Sequence, residues 1–179
     1  MKNRMPTRYS RKSFLRWQNS ATTLTSWDMK CYGREYLNNL KESGMEKTIF
    51  SKIIDREIPG YIVWEDEDAC AFLDIKPITP GHTLIVPTNP SPSYIFDMDS
   101  DAYHDLWQKV RWLSAQIKSA LGCKRIGVMV EGFLVPHVHI HLVPIDNGNQ
   151  LEPAAATRMD AAELAGYQNR IVQQISTGI

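Results

Sequence analysis

The chain is poor in several features that would each define a class. Up to Trp27 it contains no aspartate or glutamate, although Lys2, Arg4, Arg8, Arg11, Lys12 and Arg16 are basic. No run approaches the ~18 consecutive apolar residues of a membrane-crossing helix, so no membrane partner is expected. The basic start also lacks the apolar core of a secretory signal. Cys31, Cys70 and Cys123 form no C-x-x-C pair. An odd, scattered set of thiols argues against a disulfide framework and for a reducing compartment, with the cytoplasm as the expected location. No internal repeat or low-complexity tract is visible. Aromatic and basic residues do not interleave, which leaves little reason to expect a nucleic-acid partner.

What is present divides unevenly. Residues 1–44 hold nine Lys or Arg against three Asp or Glu, and the remainder holds eleven against seventeen. Residues 1–44 therefore read as a basic leader, rich in Ser and Thr and too poor in core-forming residues to fold alone. The same composition suits a mitochondrial presequence, which is the alternative location. Residues 45–150 read as the main domain, beginning near Met45, and 151–179 as its carboxy-terminal helical tail. A hydrophobic share of 43% with 22% charged residues fits one globular domain with an appendage.

Within the body, Ile49, Phe50, Ile53, Ile54 and Ile58 recur at helical spacing, which predicts a short amphipathic helix over 48–58 closed by Pro59 and Gly60. "YIVWED" (61–66) and "CAFLDI" (70–75) predict a hairpin around an acidic turn, and "HTLIVP" (82–87) a third strand. Ala102, Leu106, Val110, Leu113, Ile117 and Leu121 step by three or four, marking a long helix capped by Asp99 or Ser100 and stopped at Gly122. Trp107 and Trp112 lie on that helix as packing or dimer surface. "RIGVMVEG" (125–132) and "HVHIHLVP" (137–144) predict two more strands. Asp160 and Glu163 are spaced like a capping box for a final helix over 160–175. Strands on both sides of one long helix, joined by short loops, favour an α+β antiparallel sheet of about five strands with flanking short helices.

The segment "PHVHIHLVP" (136–144) concentrates three of the five histidines at alternate positions. Strict alternation of this kind arises by chance in roughly one chain in 250 of this size and histidine content, so it is treated as a signal. In a strand His137, His139 and His141 would share one face while Val138, Ile140 and Leu142 face the core. Such a row could be a solvated polar face. It could hold zinc, with Glu131 or His82 as further donors. It could equally supply a nucleophilic imidazole whose second nitrogen is fixed by a hydrogen bond, flanked by rings that stabilise an anionic phosphorus centre.

"HVHIHLVP" resembles the histidine triad (HIT) motif at every position. "IFSKIIDREIPGYIVWEDEDACAFLDIKPITPGHTLIVP" (49–87) resembles the amino-terminal half of the same superfamily, so the likeness spans about 48–144. The resemblance implies a hydrolase of nucleoside phosphoramidates or dinucleoside polyphosphates acting at the α-phosphorus on a purine nucleotide. It implies His139 as the nucleophile, His137 as the ring that orients it, and His141 as a contact to phosphate and leaving group. His82 would be a fourth histidine at the same phosphate. Phe72 and Ile75 would sandwich the base, Asp74 would accept the ribose hydroxyls, and Ile49 and Phe50 match positions that can line the base. A homodimer formed edge to edge is implied as well. No cofactor or resident metal is implied, and Mg²⁺ would come only with a polyphosphate substrate. Three positions depart from the pattern. Gly132, Phe133 and Leu134 stand where Gly-Gln-Ser/Thr is common, so backbone N–H groups near Gly132 would have to serve the phosphate. Val128, Met129 and Val130 offer no Asn. Ser51 stands where some members carry a zinc-binding Cys, so no structural zinc is expected. The lost donors keep a non-catalytic nucleotide-binding protein open as the rival reading.

Overall fold

The computed structural model describes residues 47–177, and those from Thr48 onward belong to one compact unit. The expected leader, 1–44, lies outside the described residues. Five strands form one antiparallel sheet: β1 (Ile62–Glu65), β2 (Ala69–Leu73), β3 (Thr83–Pro87), β4 (Arg125–Val130) and β5 (Ile140–Ile145), in the order β1-β2-β3-β5-β4. Three α-helices accompany it: α1 (Ile49–Ile54), α2 (Ser100–Leu121) and α3 (Ala161–Thr177). This is the expected α+β architecture.

Local chemistry sets the boundaries. Thr48 caps α1 by accepting the Ser51 N–H, and its hydroxyl also meets that of Ser51. The helix ends at Ile54 instead of running to Ile58. Arg56 takes a left-handed φ of 60°, and the Glu57 and Ile58 N–H groups fold back onto the Lys52 carbonyl, which closes the last turn. The β1–β2 turn is held by Asp66, whose Oδ1 accepts from the backbone of Asp68 and Ala69. Asp99 caps α2, and Gly122 ends it in the left-handed region. Asp160 accepts the Glu163 N–H at the start of α3, one bond of the predicted box.

The two faces of the sheet have different jobs. Helices α2 and α3 pack together, α2 also meeting β4 and β5 and α3 meeting β1. Ile85, Leu113, Ile117, Ile140, Leu142 and Ile171 are fully buried in the core. Ala102, predicted for the buried stripe of α2, is exposed, and Lys109 and Gln116 are buried in that helix instead. On the other face Phe50 of α1 joins Cys70, Phe72, Leu84 and Val86. Pairing places His141 opposite Leu84 on one side and Met129 on the other, so His141 shares that second face.

Candidate active site

The histidine segment is not one continuous strand. β5 begins only at Ile140, and residues 137–139 lie outside the ladder. The reason is where their polar groups go. The Val138 N–H donates to Ser91 Oγ at 3.2 Å, the His137 N–H donates to the Val135 carbonyl, and the His137 carbonyl is taken by a ring nitrogen of His139 at 2.7 Å. Side chains and a local turn thus replace the neighbouring strand. The alternation survives in Val138, Ile140 and Leu142, all fully buried. The opposite face is not an open row of rings, however. His137 and His139 are buried, only His141 is half-buried, and Phe50 lies edge-on over the first two at 6.3 and 5.0 Å.

Backbone partners assign the tautomers. A carbonyl can only accept, so His137 donates from Nε2 to the Pro87 carbonyl at 2.9 Å, and His139 donates from Nδ1 to that of His137. His139 Nε2 is left with its lone pair. An N–H can only donate, and the Ile78 N–H points at His82 Nδ1 from 3.2 Å. His82 must then carry its proton on Nε2 and give it to His141 Nδ1 at 2.9 Å. His141 in turn keeps its proton on Nε2. A nucleophilic nitrogen on His139 and an N–H donor on His141 therefore sit on rings whose centroids are 5.1 Å apart.

Burial keeps His82, His137 and His141 neutral. Desolvation pushes His82 and His141 each down to about 4, with the His82 and His139 rings adding to the effect on His141. His137 is lowered by the same cause, partly opposed by its bond to Pro87. Asp74, just beyond β2, is raised by burial, although its bond from the Lys76 N–H and the nearby His141 and His139 pull the other way. Its Oδ2 lies 3.8 Å from His82 Nδ1. We do not count this as an ion pair at neutral pH, because the imidazole is uncharged and its Nδ1 already accepts from Ile78.

The predicted residues are brought together around these rings in unequal ways. Asp74 and His82 join His141. Phe50 joins His137 and His139. Phe72 is buried beneath Phe50, with ring centroids 5.6 Å apart, whereas Ile49 and Ile75 are exposed apolar surface. Gly132 takes a φ of +87°, and a Cβ there would strike the Ser93 carbonyl oxygen, so only glycine fits this close approach. Asp74, His82 and His141 also place one potential metal ligand atom each within 4.8 Å of one another. In this arrangement hydrogen bonds already occupy both nitrogens of His82 and Nδ1 of His141. Glu131, considered as a donor from sequence, is not in that group. The supports at Ser91 and Pro87 went unseen in the sequence because each acts across more than forty residues, and that of Ile78, four residues from His82, because it acts through its backbone N–H alone.

An antiparallel α+β sheet that carries backbone-oriented imidazoles at the head of a central strand defines a narrow structural class. The model of the HIT domain matches residues 55–148. A protein of Escherichia coli K12 called purine nucleoside phosphoramidase is 36% identical over 118 residues, covering 62% of this chain and 95% of its own. An uncharacterised HIT-like protein of Borreliella burgdorferi is 38% identical over 113 residues, covering 56% and 76%. Among solved structures, a Hit-like protein involved in cell-cycle regulation from Bartonella henselae, crystallised with an unknown ligand, superposes with a TM-score of 0.63 at 30% identity, covering 72% and 96%. The chain belongs to the HIT family.

Proposed function

We propose that the protein hydrolyses nucleoside phosphoramidates or dinucleoside polyphosphates at the α-phosphorus through a nucleotidyl group carried on His139. The observation that supports this most is the tautomer of His139, in which the bond from Nδ1 to the His137 carbonyl leaves Nε2 as the nitrogen with the lone pair. In the proposed reaction the Nε2–phosphorus bond forms as the bond to the leaving group breaks. An amine leaving group takes one proton from solvent. Water then cleaves the phosphorus–His139 bond, returns a proton to solvent and releases the nucleoside monophosphate. A pair of rings held near 4 is not a charged acid at neutral pH, so His141 serves as a neutral N–H donor to a phosphoryl oxygen. His82 positions it, and His137 orients His139. Asp74 accepts the ribose hydroxyls, with Ile49, Phe50, Phe72 and Ile75 as the apolar surroundings of the base. The Escherichia coli relative's name supports the phosphoramidate half of the reading.

Samples from turnover of an adenosine phosphoramidate, stopped in denaturant at alkaline pH so that a phosphorus–histidine bond survives, should carry a nucleotide-sized mass on the peptide holding His139. His139→Ala should lose the adduct and the turnover while still binding AMP. Turnover that survives this substitution contradicts the proposal. The rival reading, a nucleotide-binding protein without catalysis, is favoured by the polar donors missing at Phe133, Leu134 and Val128–Val130. AMP binding with no turnover on any substrate would select it.

Two coarser expectations complete the proposal. β4 is an edge strand with Val128 exposed, and pairing two such edges in a homodimer would cover its free backbone groups. Among the described residues no helix is long and apolar enough to cross a membrane. A cytoplasmic site of action remains the proposal, with mitochondria as the alternative, and the mass of the mature amino terminus discriminates them.

A further inference from the structure

The loop that follows β3 reads Thr88-Asn89-Pro90-Ser91-Pro92-Ser93. It carries a hydroxyl that the proposed reaction leaves without a role. Ser91 is only 5% exposed and stands between two prolines. Each proline fixes its own φ, and Pro92 also confines Ser91 to extended backbone. Both ends of the loop are held. The Thr88 N–H donates to the Asp68 carbonyl at 2.9 Å, and the Thr88 hydroxyl to the Glu67 carbonyl at 2.6 Å. Farther along, the Ser93 carbonyl lies against Gly132. Ser91 is thus a buried polar group on a stiff, tethered turn.

What Ser91 holds is one peptide unit of the histidine segment. Its Oγ accepts the Val138 N–H at 3.2 Å. The carbonyl of that same unit belongs to His137 and accepts from His139 Nδ1 at 2.7 Å. The unit is planar and trans, so its N–H and C=O point in opposite directions and can only turn together. Holding the N–H therefore holds the carbonyl that dictates the His139 tautomer. An accepting hydroxyl also polarises the amide and makes its carbonyl a better acceptor. Val138 is fully buried, so bulk solvent does not substitute for Ser91 at that N–H.

We infer that Ser91 is a positioning residue for the nucleophile, an inference that rests on the hydrolase reading above. By fixing the His137–Val138 peptide, Ser91 keeps the His137 carbonyl aimed at His139 Nδ1. The lone pair then stays on Nε2, where the bond to phosphorus forms. Without the hydroxyl the peptide turns, His139 Nδ1 loses its acceptor, and the proton settles on Nε2 in part of the molecules. That tautomer has no lone pair on Nε2 to attack with. Ser91 makes no contact with substrate in this scheme, so its loss slows the chemical step and leaves nucleotide binding intact.

The test reads tautomer and kinetics separately. At about pH 8, where an imidazole of ordinary pKa is neutral, NMR of isotope-labelled histidine should show wild-type His139 in the Nδ1–H form alone. The wild-type Val138 amide should exchange slowly with solvent. Ser91→Ala should add the Nε2–H form and lower kcat on an adenosine phosphoramidate about tenfold, with KM kept within about twofold. Ser91→Thr, which retains the hydroxyl, should recover kcat to within about threefold of wild type. Lys109→Met, which disturbs a buried ion pair away from the histidines, should keep the wild-type tautomer and kcat. The inference is overturned by a Ser91→Ala protein with unchanged kcat and a single His139 tautomer, or with nucleotide affinity reduced as much as kcat. A folded Ser91→Thr protein as slow as Ser91→Ala overturns it too. So does wild type with a freely exchanging Val138 amide or a mixed His139 tautomer, measurements that need no variant to fold. Wild type without turnover on any phosphoramidate sinks the hydrolase reading, while the tautomer comparison still decides what Ser91 holds.

Discussion

The His82–His141 pair makes stability depend on pH in a predictable direction. Both rings are held at about 4 against an ordinary 6.5. Between those values the unfolded chain takes up protons that the folded site refuses, so stability is full above pH 6.5 and falls as the pH drops toward 4. Each ring takes up a proton in the unfolded chain that it refuses in the folded site, so both contribute. Lowering the pH from 7 to 5 then removes about 2 kcal/mol per ring, roughly 4 kcal/mol for the pair. Asp74 acts in the opposite sense, because burial raises it and acid relieves its ionisation. The measurement must therefore isolate the pair. Urea unfolding at pH 7 and pH 5 should show wild type losing roughly 4 kcal/mol more than the double variant His82→Gln, His141→Gln. His104→Gln, which alters an exposed ring on α2, should keep the wild-type loss. Identical losses in wild type and the double variant would refute the claim that buried neutral imidazoles carry this dependence.

Other perturbations test separate parts of the structure. Gly132→Ala should lower stability by roughly 1–3 kcal/mol and depress turnover, since the new methyl meets the Ser93 carbonyl in a left-handed backbone; thermal unfolding and a hydrolysis assay read the two effects, and an unchanged melting curve would contradict the geometry. Lys109 is buried at 3% exposure and meets Asp105 at 2.6 Å and Asp66 and Asp68 at 3.3 Å. Lys109→Met should cost roughly 2 kcal/mol by stranding the poorly exposed Asp66 carboxylate, and adding Asp66→Asn should recover part of it; denaturant midpoints decide, with no recovery counting against the stranded-charge explanation. Asp74→Ala should weaken AMP binding more than deoxy-AMP binding by calorimetry, and equal losses would remove Asp74 from the ribose.

Much of the fold was legible because the cues were local. The stripe Leu106, Val110, Leu113, Ile117 has the period of a helix and the caps Asp99 and Gly122 bound it, so α2 could be placed nearly to the residue. The hairpin was legible for the same reason, from β-formers around an acidic turn. The extent of α1 was misjudged because Ile58 continues the helical period, whereas the left-handed Arg56 ends the helix through backbone bonds that leave no trace in hydrophobicity. Lys109 escaped notice because a lysine at a buried helix position makes sense only beside Asp66 and Asp68, more than forty residues away.

The sequence alone determined which chemical groups are present and their order: three imidazoles at alternate positions, a fourth near Thr83, and an aspartate after a buried strand. It could do so because composition and short-range spacing are properties of the chain itself. Tertiary structure decided which nitrogen on each ring holds a proton. That depends on whether the facing group is the Pro87 or His137 carbonyl or the Ile78 N–H, and no spacing rule tells which backbone group the folded chain turns toward a ring, be it two, four or fifty residues away.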